Sequence, residues 1–291
     1  MNFEERALSF TCNDSWLYGI LSLPEKVASR GVLIVVGGPQ YRAGSHRQFT
    51  LLARNLAAHG VPVMRFDYRG MGDSEGDARG FERIKDDIYN SINQFFDEVD
   101  SLEEVVIWGL CGAASAALLY AHQDPRVTGL VLLNPWVRTD KGNAKARLKY
   151  YYGARLLDSA FWRKIWQGQF SFTNAAQSFL KNVSKALIGK TANETPLSSA
   201  AKKSSDLAAS LPRRMFEGLQ RFEGKVLFIT SGNDLTAQEF VDLVKASYKW
   251  QKLLDSPGVK HFDIPEADHT FSRQKWGDQM VSWTREWVHS W

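Results

Sequence analysis

Val105-Val106-Ile107-Trp108-Gly109-Leu110-Cys111-Gly112-Ala113-Ala114-Ser115 is the stretch on which the fold turns. Val105 to Trp108 carries no polar side chain, the pattern of a strand covered on both faces. It enters Gly-x-Cys-Gly-Ala directly and continues into the small-residue run Ala113 to Ala117, which suits a helix lying close on a sheet. A buried strand, one sharp bend and a helix, with a reactive side chain at the bend, is the context of a nucleophile elbow, here with Cys in place of the usual Ser. Residues two before and two after the bend must be small to avoid collision, and they are Gly109 and Ala113. The helix that follows points unpaired N–H groups and its positive dipole end at Cys111, which favours a thiolate and a developing oxyanion. The competing reading makes Cys111 a small buried hydrophobe at a strand end. The surrounding strand, turn and helix favour the nucleophile.

Outward from the elbow the chain alternates strand and helix. Ser9 to Leu23 reads as an antiparallel strand pair, Gly31 to Val36 as a buried strand, and Ser45 to His59 as a helix stopped by Gly60. Val61 to Tyr68 is a strand, Arg83 to Val99 an amphipathic helix, and Val127 to Leu133 a strand. The alternation breaks off at Asn134-Pro135. Lys145 to Phe170 is basic, aromatic and helical in spacing, and Lys190 to Ser210 is rich in Ser, Ala, Lys and Thr. The strand pattern resumes at Lys225 to Ile229, followed by a helix over Ala237 to Leu254, a strand over Lys260 to Ile264 and a last helix from Ser272. This predicts an α/β fold, a doubly wound and mostly parallel sheet, with core segments 1–135 and 222–291 and a helical lid inserted at 136–221.

Composition excludes several classes. The 291 residues are 44% hydrophobic and 23% charged, ordinary for a globular chain. With 36 basic and 32 acidic residues the net charge is +4, too balanced to require nucleic acid or a membrane surface. No apolar run approaches about 18 residues, so no membrane span is expected. The N-terminus MNFEERALSF lacks a secretory pattern. Two distant cysteines, Cys12 and Cys111, give neither a disulfide framework nor a metal site, and a reducing cytoplasm is the expected compartment. The absence of a glycine-rich dinucleotide fingerprint and of a metal motif implies no cofactor. Four of the ten Trp residues fall at the C-terminal end, at 276, 283, 287 and 291, and are expected to pack the core rather than form an interface.

Partners for Cys111 follow in chain order. Thr230-Ser231-Gly232-Asn233-Asp234 lies just past a strand, at the sheet end where open α/β folds place ligands, so Asp234 is the expected acid. Its alternative role is to cap the next helix. His269, in Pro265-Glu266-Ala267-Asp268-His269, is the expected base, with Asp234 holding the imidazole tautomer. An oxyanion hole needs two backbone donors. Gly112 N–H is one. The other belongs to Gly37-Gly38-Pro39-Gln40, and since Pro39 has no N–H, Gln40 is favoured over Gly38. Gly38 and His46 are placed beside the substrate, as are Tyr151 and Trp162 of the insertion, for which simple packing is the alternative. Lys145, Arg147, Lys149, Arg155, Arg163 and Lys164 suit an anionic coenzyme A or carrier-linked acyl group, or form a solvated basic face.

The loop Asp67-Tyr68-Arg69-Gly70-Met71-Gly72-Asp73-Ser74 resembles the D-x-R-G-x-G-x-S turn of the α/β-hydrolase superfamily. With Gly-x-Cys-Gly-Ala, Gly232-Asn233-Asp234 and Asp268-His269 it extends the resemblance over nearly the whole chain. More narrowly, Gly37 to Phe49 with the Cys elbow is similar to bacterial hydrolases associated with the exosortase A system. The resemblance implies an ester or thioester hydrolase acting on a small-molecule acyl substrate. Acyl transfer through the same acyl-Cys and a non-catalytic binding protein are the alternatives. The oligomeric state is not legible in the sequence.

Overall fold

A computed structural model of the chain describes residues 2–38, 40–137 and 210–291. Eight strands form one sheet: β1 (Phe3–Cys12), β2 (Ser15–Pro24), β3 (Arg30–Val35), β4 (Val63–Phe66), β5 (Glu104–Leu110), β6 (Val127–Leu133), β7 (Lys225–Ser231) and β8 (Val259–Ile264). Their order across the sheet is β1-β2-β4-β3-β5-β6-β7-β8. β1 pairs antiparallel with β2, and β2 with β4; every pairing from β4 to β8 is parallel. This is the doubly wound, mostly parallel sheet that the alternating elements predict, in the arrangement that the resemblance to α/β-hydrolases implies.

The central strands are apolar because both faces are covered. Val32 to Val35 and Val105 to Trp108 have no exposed surface. The helix α1 (Gln48–Ala58) buries Phe49, Leu52, Ala53 and Leu56, one stripe at helical spacing, against them. Phe49 meets Trp108 edge-on, ring centroids 5.5 Å apart. Each large apolar side chain so buried contributes roughly 1.5–3 kcal/mol. The helix α2 (Lys85–Glu98) covers the sheet through Ile88, Ile92 and Phe95, and α3 (Gly112–Tyr120) is buried along nearly its whole length. Its small side chains permit that close approach. The helix α4 (Leu211–Arg221) falls within the expected insertion, yet it belongs to the same compact unit as the sheet. The rest of that insertion, 138–209, lies outside the described residues.

Where a single helix was expected over Ala237 to Leu254 there are two, α5 (Leu235–Lys245) and α6 (Tyr248–Leu254). Ser247 turns to φ −131°, ψ 110° and heads the second helix. The turn carries Trp250 onto Phe240 and Phe216, with centroids 5.9 and 5.4 Å away. Aromatic burial thus overrides local helix propensity. In the last helix, α7 (Gln274–Val288), Trp276 and Trp287 are buried, while Trp283 lies 4.7 Å from Phe262. These are core contacts.

Chain order from β3 to β4 runs one way across the sheet, and from β4 to β5 it jumps back over β3. The carboxyl ends of β3 and β5 are therefore the topological switch point, where such sheets form a crevice. Val35 pairs with Gly109, so the loop from Gly37 and the bend at Cys111 emerge side by side.

Candidate active site

Cys111 stands at the end of β5 with φ 60° and ψ −121°, a conformation that non-glycine residues rarely adopt. The surroundings hold it there. Its N–H donates to Leu133 C=O at 2.8 Å, and its C=O accepts from Ser115 and Trp136 N–H, each at 3.3 Å. A Cβ on Gly109 would lie 2.7 Å from the Ala113 backbone, which is why the position two before the bend has no side chain. Gly112 opens α3, so its N–H sits at the free end of a helix directly after the sulfur-bearing residue.

Asp234 and His269 come from the ends of β7 and β8. The carboxylate Oδ2 lies 2.8 Å from His269 Nδ1 and also accepts Ala237 N–H at 3.0 Å, while Oδ1 accepts Thr236 N–H at 3.2 Å. Both roles considered for Asp234, helix cap and imidazole partner, are filled by one side chain. The two loops are stitched together by Gly232 N–H to Ile264 C=O and Asn233 N–H to Ala267 C=O, both 3.0 Å. A Cβ on Gly232 would lie 2.2 Å from Pro265 C=O, so this approach requires glycine.

The Cys111 thiol lies close enough to the His269 ring to raise its proton affinity. Nδ1 faces Asp234, so Nε2 is the ring nitrogen turned away from the carboxylate. Asp234 first, then Cys111, raise the proton affinity of His269, pushing its pKa up to about 10 against the opposing effect of burial. Among the sequence-expected residues, Cys111, His269 and Asp234 are thus brought into one chain of contacts.

The loop after β3 is differently arranged. Gln40 N–H donates to Gly38 C=O at 2.8 Å, so this donor is engaged within its own loop. The Gln40 side chain holds Ser45 Oγ at 3.0 Å. His46 has φ 53° and lies near Asp268, the residue before His269. Burial raises the Asp268 pKa, but hydrogen bonds from Ser272 and Thr270, with His46 nearby, bring it below the ordinary value. Tyr151, Trp162 and the basic residues of the insertion lie outside the described residues.

Two features went unread in the sequence. The first is a clamp on the stretch that follows Gln40. Asp67, fully buried, accepts Arg42 N–H at 2.6 Å, Asp73 N–H at 3.2 Å and the Arg42 guanidinium, which also reaches Asp73 at 2.6 Å. Burial raises the Asp67 pKa, and these hydrogen bonds oppose it. Next to it Arg69 makes a two-pronged pair with buried Asp87, both contacts 2.9 Å. The second is Asn134, buried at the end of β6, whose contacts reach the His269 loop. Its signal was slight: an Asn, tolerant of positive φ, directly before a Pro. Among the described residues no group of acids, histidines and cysteines is arranged to hold a metal ion. No helix among them is long and apolar enough to cross a membrane.

Solved structures share this architecture. The chain is similar to an esterase from Pyrococcus furiosus at 16% identity and TM-score 0.66, over 99% of this chain and 93% of that one. It is also similar to Est1E from Butyrivibrio proteoclasticus, solved with ferulic acid, at 14% identity and TM-score 0.62, covering 97% and 98%. A dienelactone hydrolase from Anabaena variabilis aligns at 14% identity and TM-score 0.60, covering 98% and 96%. At such identities the likeness establishes the fold alone. No curated protein matches the sequence. Residues 28–194, more than half of the chain, match the family model described as Serine aminopeptidase, S33, and the chain belongs to that family of α/β-hydrolases.

Proposed function

We propose that this protein hydrolyses a small-molecule ester or thioester through an acyl-Cys intermediate, with Cys111 as nucleophile, His269 as base and acid, and Asp234 orienting the imidazole. The observation that supports this best is the His269 ring hydrogen-bonded to the Asp234 carboxylate and near enough to Cys111 for the thiol to raise its proton affinity, with Cys111 on a strained bend at the head of a helix. Its family is described by a serine nucleophile, so Cys at the elbow is this chain's departure.

His269 Nε2 already holds the proton taken from Cys111 Sγ in a resting ion pair, and the thiolate attacks the carbonyl carbon of the substrate. The carbonyl π-electrons move to oxygen. Gly112 N–H donates to that oxyanion, and Gln40 N–H becomes the second donor by turning away from Gly38 C=O. Collapse breaks the bond to the leaving alcohol or thiol, which takes the proton from His269. Water then gives a proton to His269 and attacks the acyl carbon, and the C–S bond breaks to restore Cys111. A high proton affinity at His269 stabilises the imidazolium present in each half of this cycle. Removing one oxyanion donor costs ~10²–10³ in rate in comparable enzymes.

On sequence grounds Tyr151 and Trp162, in the lid segment 136–221, are assigned to the acyl group, Gly38 and His46 to the substrate rim, and no cofactor takes part. On sequence grounds too, the similarity of Gly37 to Phe49 supports assigning the reaction to the exosortase A-associated hydrolases, and the two distant cysteines support a cytoplasmic location. The test is turnover of nitrophenyl esters, acyl-coenzyme A thioesters and lactones by the wild type, Cys111→Ala and His269→Ala. The account expects at least one class to be cleaved by the wild type only. Equal turnover by Cys111→Ala refutes it.

A further inference from the structure

Nucleophile and base reach this site from opposite sides of β6, and one short segment touches both. Asn134 takes φ 45° at the end of β6, a strained value that Asn tolerates and most residues do not. Its Oδ1 accepts Ser231 N–H at 2.9 Å, and its Nδ2 donates to Ser231 Oγ at 2.7 Å and to His269 C=O at 3.1 Å. Two residues on, Trp136 N–H donates to Cys111 C=O at 3.3 Å, and Trp136 C=O accepts Ser115 Oγ–H at 2.7 Å. The carboxamide is fully buried, so each of its hydrogen bonds forms in a medium where an unmade one is costly.

From these contacts we infer that Asn134 is a positioning residue for the reaction proposed above: it fixes the backbone of His269 relative to the strand end and elbow that carry Cys111. The inference rests on that reading of Cys111 and His269 and adds how the two are kept in register. The His269 loop follows edge strand β8, three strands from β5, and a turn that far from the elbow needs a tie. Asn134 lies between them, on the one strand paired with both β5 and β7. A carboxamide accepts from Ser231 N–H and donates to His269 C=O at once, whereas an ionised carboxylate of the same shape cannot donate to the second.

Asn134→Asp isolates that contact. It keeps tolerance of positive φ and the acceptor for Ser231 N–H, and Ser231 Oγ–H can turn to donate. Only His269 C=O then faces an oxygen it repels. Asn134→Gly keeps the backbone conformation and removes every side-chain contact. Ser231→Ala keeps the His269 contact and loses one bond to Asn134. The measurements are kcat, KM and the pH-rate profile on the best substrate of the wild type, together with the rate of iodoacetamide alkylation of Cys111. Asn134→Asp is expected to lower kcat about ten- to a hundredfold with KM within about twofold, the scale of a sub-ångström misplacement of a reacting group. Its alkaline limb should shift from the wild-type position, because His269 is no longer held in line with Asp234 and Cys111. Ser231→Ala should lose thermal stability and keep the wild-type limb. If Asn134→Asp and Asn134→Gly retain kcat and the limb within error, whatever their melting temperatures, the inference is overturned. It is also overturned if neither can be obtained folded, since Asn134 then serves folding rather than position. Failure of the parent reading looks different: Cys111 alkylation in the wild type would then be unaffected by His269→Ala.

Discussion

The Asp234 carboxylate that meets His269 Nδ1 at 2.8 Å is the same group that caps α5 through Thr236 and Ala237 N–H. Orientation of the imidazole and the start of a helix are therefore fixed by one side chain. Two backbone donors hold its rotamer independently of the imidazole, so the acid is preorganised.

That double duty separates two substitutions. Asn caps a helix about as well as Asp, whereas Ala costs ~1 kcal/mol at such a position. Asp234→Asn is thus expected to keep its melting temperature while turnover falls, and Asp234→Ala to lose both. Because sulfur is intrinsically nucleophilic, the loss for Asp234→Asn should stay well below the ~10⁴ known for the equivalent change in serine proteases. It should also stay below that of His269→Ala. Steady-state kinetics with thermal melts of the three variants give the answer, and equal losses for Asp234→Asn and His269→Ala contradict it.

The raised proton affinity of His269 has a signature in stability. An unperturbed imidazole titrates near ~6.5 in the unfolded chain, and the folded value is about 10. The folded state therefore binds the proton more tightly. This contribution is complete below pH ~6.5 and is lost progressively as pH rises towards and through about 10. Melting temperatures from pH 6 to 10.5 should fall for the wild type by more than for His269→Gln, which cannot hold the proton. Parallel curves would show that His269 carries no such proton.

Arg42 bears on Asp67, whose side chain has no exposed surface, and on the loop that leads from Gly37. Arg42→Ala leaves a buried carboxylate without its cation, which costs on the order of 3–5 kcal/mol when no rearrangement relieves it. Urea denaturation should show a loss of that size, with a matching drop in kcat because the oxyanion loop is loosened. A loss under about 1 kcal/mol would mean that the backbone N–H groups of Arg42 and Asp73 suffice.

At the elbow, Gly109→Ala places a methyl group 2.7 Å from the Ala113 backbone. Overpacking of this kind costs typically ~1–3 kcal/mol. Turnover should fall further than stability, since the displaced residue is the helix turn next to Cys111. Chemical denaturation and kinetics of this variant test the two parts separately.

Much of the fold was legible because parallel strands write themselves as unbroken apolar runs. Gly31 to Val35, Val105 to Trp108 and Val226 to Ile229 all lie in buried stretches of strand. The order Cys111, Asp234, His269 was legible because each follows a strand at the same sheet edge. Ser247 was not legible as a helix break, because the cause is Trp250 meeting Phe240 and Phe216 across the fold. Gln40 N–H looked like a free donor, since its bond to Gly38 C=O depends on a turn that no spacing rule reports. Asn134 was read as the residue where a pattern stops; its importance depends on strand register, which brings Ser231 and His269 to it.

Covalent capture of the acyl group gives the most direct test of the acyl-Cys chemistry. The protein would be mixed with an acyl donor that the wild type cleaves, quenched in acid within the first turnovers, and read by intact mass and peptide mapping. One acyl group per chain on the peptide bearing Cys111, absent from Cys111→Ala and slow to form in His269→Ala, is the predicted result. Substrate turnover with no adduct on Cys111, or an adduct that forms equally on the Cys111→Ala chain, contradicts it.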